Sequence, residues 1–141
     1  MPAGFDLDRF VRAQAPVIDD VRRELGAGRK RTHWMWFVFP QLAGLGRSPT
    51  AQFYGISGLD EARAYLAHPV LGPRLVECTA LVNQVQGRTA AEIFGSPDDV
   101  KFRSCMTLFA AVQKSPFEDA LKKYFGGAPD SLTVGLLEHA A

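Results

Sequence analysis

Apolar side chains recur along this chain three and four residues apart, the interval that lines one face of an α-helix. Phe10, Val11, Val17, Ile18, Val21 and Leu25 make the first such stripe. Pro16 breaks or kinks it, because an internal proline removes a backbone hydrogen bond and crowds the turn before it, and Gly26 stops it. Ala62, Tyr65 and Leu66 mark a short helix that ends ahead of His68-Pro69, since the residue before proline avoids helical geometry. Leu75, Cys78, Thr79, Val82 and Val85 carry a longer one, opened by Pro73 and closed by Gly87. Phe102, Cys105, Met106, Phe109 and Val112 share a face of another, and Leu132, Leu136 and Leu137 fall in the last.

Helix starts are marked by residues able to satisfy the free N–H groups of a first turn. Asp6 is placed to cap the first helix, with Phe5 and Phe10 at the spacing of a hydrophobic staple, and Ser57 with Asp60 precedes the second. Thr89 and Glu92 form a capping-box pattern for a brief helix ending at Gly95. Ser96-Pro97-Asp98-Asp99 and Ser115-Pro116-Phe117-Glu118 each set a serine cap before proline at the first helical position and an acid at the positive end of the dipole. The helix after Ser115 ends at Gly126-Gly127, and Asp130 suits the start of the last. Only residues 33–39 compete as a strand. The expectation is an all-α fold, a compact single-domain bundle of about seven helices over residues 1–141, with the Gly-, Ser- and Pro-rich stretch 44–58 as an internal connection.

A chain of 141 residues is long enough to bury roughly two thirds of its unfolded surface without a staple. A formal charge of +1 argues against binding extended nucleic acid, which needs a clear basic excess. No stretch approaches the roughly 20 apolar residues that span a bilayer, and the start carries acids where a leader peptide has lysines. No membrane association and a cytoplasmic location are therefore expected. Cys78 and Cys105 fall on apolar stripes and read as reduced core thiols. There is no metal-ligand spacing, no P-loop, no G-x-S-x-G and no H-E-x-x-H, so no metal and no cofactor is expected.

The densest chemistry lies in RTHWMWFVFPQ, residues 31–41, which holds both tryptophans beside the basic Gly28-Arg29-Lys30-Arg31. As a strand it sets His33, Met35, Phe37 and Phe39 on one face; as a helix it groups His33 with Trp36 and Phe37. Either way both faces are apolar and the segment belongs near the centre. Core packing accounts for most such rings. His33 at the joint of basic and aromatic stretches, two indole N–H groups and the Gln41 amide add a second possibility, a surface for a nucleobase carrying phosphate. Gly44-Leu45-Gly46-Arg47-Ser48 reads first as a turn, and second as an anion loop of backbone N–H groups, an arginine fork and a hydroxyl. Tyr54 adds a phenol.

The run Thr32 to Gln41, followed by Gly44 to Ser48, resembles the signature of a bacterial family known as domain of unknown function 1810, sometimes labelled calpastatin-like. The likeness continues through Glu61-Ala62, Tyr65-Leu66, His68-Pro69, Leu71-Gly72, Arg74-Leu75, Asp98-Asp99, Lys101-Phe102, Ser104, Met106 to Phe109 and Asp130. It implies a compact, mostly helical domain with no established activity. The calpastatin label is not carried over, because such an inhibitor is disordered and acidic whereas this composition is globular and balanced. The order Asp99, Lys101, Met106, Phe109, Phe117, Leu121, Gly127, Asp130 is also similar to the C-terminal helices of the NADAR superfamily. That likeness implies an ADP-ribose-like or ribosyl N-glycosidic substrate.

Cleaving an N-glycoside needs a carboxylate near the developing oxocarbenium ion and a proton donor at the leaving base. His33 and Asp99 are the candidate catalytic residues, although Asp98, Asp99 and Asp130 also read as helix-terminal acids. Lys30, Trp34, Trp36, Gln41, Arg47, Ser48, Tyr54 and Lys101 are the candidate ligand contacts, Lys101 lying at the border of its helix's apolar face. Arg103 and Ser104 fall farther round, on the solvated side. Enzyme and non-catalytic binding module both stay open, as does a third reading in which the aromatic run is all core and the protein is an interaction module. The partner is a small nucleotide-like ligand in the first two, and the oligomeric state is left open.

Overall fold

The computed structural model describes residues 4–140, with side chains to residue 138. Ten α-helices follow one another among the described residues: α1 (Asp8–Gln14), α2 (Ile18–Gly26), α3 (Met35–Val38), α4 (Pro49–Phe53), α5 (Leu59–Ala67), α6 (Leu71–Gln84), α7 (Ala90–Phe94), α8 (Asp98–Ala110), α9 (Phe117–Phe125) and α10 (Ser131–Ala140). The fold is all-α, as the periodicity requires. A lone parallel bridge, Leu42 to Ile56, ties the two ends of the 42–56 connection. The three helices beyond the expected seven have local causes. Pro16 divides the first stripe into α1 and α2, the aromatic run makes one helical turn, and the Ser48 hydroxyl caps α4 by accepting from Ala51 N–H at 3.1 Å.

α8 is the hub, packed against α5, α7, α9 and α10, while α2 and α5 lie against α6. From Phe102 to Phe109 only Arg103 escapes burial. Such a helix tolerates polar residues only if their groups are paired, and the Ser104 and Thr107 hydroxyls donate to the carbonyls of Val100 and Arg103 at 3.1 and 2.8 Å. Ser104, expected on the solvated side, is therefore core. Arg103 is half-buried, its guanidinium 5.2 Å from the Phe125 ring and donating to the carbonyl of Ala128. Phe39, Phe94 and Phe102 meet around α8 with centroids 4.6–5.8 Å apart. Burial pushes the Cys78 thiol up to about 12 and the Cys105 thiol well above its ordinary range, so both are inert packing groups.

Capping is less literal than the sequence suggests. The Thr89–Glu92 box is present, and the Asp130 carboxylate accepts from the N–H and hydroxyl of Thr133. Asp6, Ser96 and Ser115 cap nothing: α1, α8 and α9 begin behind Leu7, Pro97 and Pro116, and the two Ser-Pro bonds are cis. At α5, Gly58 precedes the helix and the Glu61 carboxylate reaches back to Ser57 N–H at 2.8 Å. Glu61 also pairs with Arg9 at 3.0 Å. Arg9 in turn donates to the carbonyls of Phe53 and Gly55, so one nearly buried ion pair pins residues 53–61 onto α1.

Where α5 hands over to α6, a Cβ on Gly72 would stand 2.0 Å from the carbonyl oxygen of Leu66, whereas one on Gly26 would meet nothing within 4 Å. Gly72→Ala should therefore cost about 3 kcal/mol through backbone displacement. Gly26→Ala should be neutral or stabilising by up to about 1 kcal/mol. Urea denaturation of both variants checks the contrast, and equal effects would contradict this packing.

Candidate functional site

The segment 29–34, which bends at Thr32 and His33, is held from both sides through its backbone. Lys30 N–H donates to the carbonyl of Ile93 at 2.7 Å, and Arg29 N–H to that of Glu24 at 3.0 Å. The Glu24 side chain does more. One of its oxygens accepts from Arg31 N–H at 2.7 Å, Thr32 N–H at 3.0 Å and the Trp34 indole N–H at 3.0 Å, while the other accepts from the Thr32 hydroxyl at 2.7 Å. Burial alone would push this carboxyl up, but the four donors outweigh it and hold the acid at about 2.

This clamp divides the aromatic run. Trp34, Met35, Val38 and Phe39 are buried, with Trp34 and Phe39 at 0% exposure. Phe37 is partly buried against Tyr54, and its carbonyl accepts from Gln14 at 2.7 Å. Trp36 is partly exposed and His33 is exposed. Trp34 thus has its faces in the core and its N–H on Glu24, which removes it as a stacking surface in this conformation. Trp36 is the indole left at the surface.

Trp36 borders a cluster of three charged side chains from two elements, Lys30, Asp98 and Lys101. Lys30, only 7% exposed, places its ammonium 3.0 Å from Asp98 and 5.1 Å from the Trp34 ring centre. Lys101, one turn into α8, lies 3.4 Å from the other Asp98 oxygen and 5.0 Å from the Trp36 ring centre. Two ammonium groups therefore share one carboxylate, and each also faces an indole, a favourable arrangement for a cation. Asp99, the next residue on α8, keeps one buried carboxylate oxygen with no donor. Such an atom is costly in a folded protein and marks a place where a missing partner would be welcome.

The other candidates lie outside this cluster. Gln41 is half-buried and its carbonyl accepts from Ile56 N–H. Gly44 takes a positive φ of 98°, so its stretch is a turn, while the Arg47 carbonyl accepts from Gln52 and Ser48 spends its hydroxyl on the α4 cap. Tyr54 sits among Phe10, Phe37 and Phe53. Asp98 is the member that the sequence offers only as one of three acids, with Asp99 and Asp130, able to supply a carboxylate or to end a helix. The signal was there, as Asp98 and Lys101 are three apart on one helix, but its second partner comes from a segment 68 positions earlier. A cavity of about 600 Å³ lies elsewhere, between α8, α9 and α10, walled mainly by Leu59, Ala110, Leu121, Val134 and Leu137, and holds none of the candidate residues. Among the described residues no helix is long and apolar enough to cross a membrane, and no three His, Cys, Asp or Glu converge on a metal position.

These features define a small all-helical domain whose central aromatic segment is clamped by a buried glutamate and borders a lysine–aspartate–tryptophan cluster. The chain belongs to the family described as protein of unknown function (DUF1810), whose model matches residues 4–137. It is similar to a solved structure, the conserved hypothetical protein Rv1873 from Mycobacterium tuberculosis, with 64% identity and a TM-score of 0.93 over 95% of this chain and 97% of that one. No curated protein matches it.

Because the Glu24 acid sits at about 2 when folded and near 4.3 in an unfolded chain, the clamp stabilises fully above roughly pH 4.5. Its contribution is lost as pH falls through 2. The shift corresponds to about 3 kcal/mol. Glu24→Gln should destabilise the protein by about that much at pH 7 and by much less near pH 2, read from denaturant midpoints across the range. A loss independent of pH would mean that the carboxylate charge is not what organises residues 31–34.

Proposed function

We propose that the cluster of Lys30, Trp36, Asp98, Asp99 and Lys101 binds a nucleotide-like or ADP-ribose-like ligand and that its chemistry is hydrolysis of an N-glycosidic bond. The observation that carries this reading is the partly exposed Trp36 indole with the Lys101 ammonium over its ring, the Lys30 ammonium on the other oxygen of the shared Asp98, and a donorless carboxylate oxygen on the next residue, Asp99. An indole face suits a flat base, the ammonium groups suit phosphate, and the free Asp99 oxygen suits a ribose hydroxyl or the cationic C1′. The similarity of residues 99–130 to the NADAR superfamily supports the same ligand class.

In the reaction His33 protonates the leaving base and the C1′–N bond breaks with its electron pair going to the base. The Asp99 carboxylate steadies the oxocarbenium ion. Water then adds at C1′ and gives its proton to Asp99. His33 is suited by its exposure and by an imidazole ring able to donate a proton. Gln41, Arg47, Ser48 and Tyr54 have no contact with the cluster that supports a direct role, so the proposal rests on the residues around Trp36.

Titration with AMP and ADP-ribose, followed by indole fluorescence, tests binding, and release of free base tests turnover. Trp36→Ala should weaken binding by at least about tenfold, the worth of a base–aromatic stack, without unfolding the protein. Asp99→Asn and His33→Ala should each lower turnover by about a hundredfold, the usual scale of acid–base catalysis, with binding changed little. Turnover that survives Asp99→Asn would remove the hydrolytic mechanism, and binding that survives Trp36→Ala would remove the site.

A further inference from the structure

The cluster around Asp98 has an imbalance that bears on what it binds. Lys30 and Lys101 approach opposite oxygens of a single carboxylate, at 3.0 and 3.4 Å. An ammonium group has three N–H donors, so Asp98 engages only part of what the two lysines offer. Lys30 is 7% exposed and sits over the Trp34 ring, held in place because its backbone N–H is tied to Ile93 and the next residues to Glu24. A lysine usually keeps its ammonium in water, and one held this deep needs an anion beside it. The Asp98 side chain is 21% exposed, on the first turn of α8, and is more readily moved than Lys30.

We infer that Asp98 stands in for a ligand's anionic group, and that a phosphate displaces it to bridge Lys30 and Lys101. This rests on the ligand-binding reading above and narrows it to phosphorylated ligands: a nucleoside monophosphate or sugar phosphate binds, whereas the matching nucleoside or free base does not. A phosphate oxyanion offers three terminal oxygens and up to two charges where the carboxylate offers two oxygens and one, so it satisfies more of the six ammonium N–H groups. Asp98 then turns to solvent, which its exposure allows. It would be an internal competitor that keeps Lys30 paired while the site is empty, not a contact to the ligand.

The experiment uses the full chain and inorganic phosphate, AMP and adenosine at constant ionic strength, reading the indole N–H signals of the two tryptophans. The buried Trp34 signal reports that each variant is folded. Phosphate should move the Trp36 signal in the wild type, should bind Asp98→Asn about tenfold more tightly because the competing charge is gone, and should not bind Lys101→Gln in either background. AMP should respond to both substitutions as phosphate does but bind more tightly than phosphate, and adenosine should leave Trp36 unmoved. Phosphate binding that is unchanged or weakened by Asp98→Asn would overturn the inference, making Asp98 a residue that positions the lysines. Silence toward phosphate in both proteins would overturn it as well. Equal binding of AMP and adenosine would defeat the phosphate requirement while leaving the nucleotide reading intact. Phosphate bound as expected, with AMP showing no gain over it, would sustain displacement of Asp98 and remove the nucleotide.

Discussion

The Glu24 carboxylate is the constraint on which the rest of the structure depends. A buried charge is tolerated only where several donors meet it, and here all four come from residues 31–34, the stretch that turns the chain from the end of α2 into the aromatic run. Because one donor is the Trp34 indole, the carboxylate fixes both the backbone and the direction in which the first tryptophan enters the core. The alternation that follows is a consequence: with Trp34 pointing inward and one helical turn from Met35 to Val38, Trp36 falls on the outer side. The same stretch of backbone carries Lys30 inward to Asp98.

The architecture was open to reading from the chain because its helices are mostly amphipathic and bounded by glycine and proline. α6 begins two residues before Pro73 and ends three before Gly87, and α5 stops ahead of His68-Pro69 as it should. The pattern misleads where a local device is replaced by a tertiary one. Ser57 is not a cap because Glu61 reaches back to its N–H, and Glu61 is available there because Arg9 holds it from α1. Ser104 is not solvated because α8 is enclosed on nearly every side, so the polar residues on it say less than usual about which face meets water.

The candidate site was only half legible for a related reason. A dense aromatic motif announces itself in any sequence, but whether a ring is core or surface depends on the register of a single turn, and that register is set by Glu24, seven to ten positions upstream. Lys101 was recognisable from its place at the edge of an apolar face. Its joining with Lys30 across one carboxylate was not, since helical periodicity on α8 says nothing about a side chain arriving from residue 30. The turn around Gly44 and the cap at Ser48 show the converse, residues that look like anion ligands and are spent on local structure.

The most direct test is hydrogen exchange at the two indole N–H groups, measured by NMR on the free protein at neutral pH. Trp34, bonded to Glu24 and fully buried, should exchange only on global unfolding, with protection that matches the unfolding free energy, whereas Trp36 should exchange orders of magnitude faster. Equal protection of both would place Trp36 in the core and contradict the division of the motif. Rapid exchange at Trp34 would contradict the glutamate clamp.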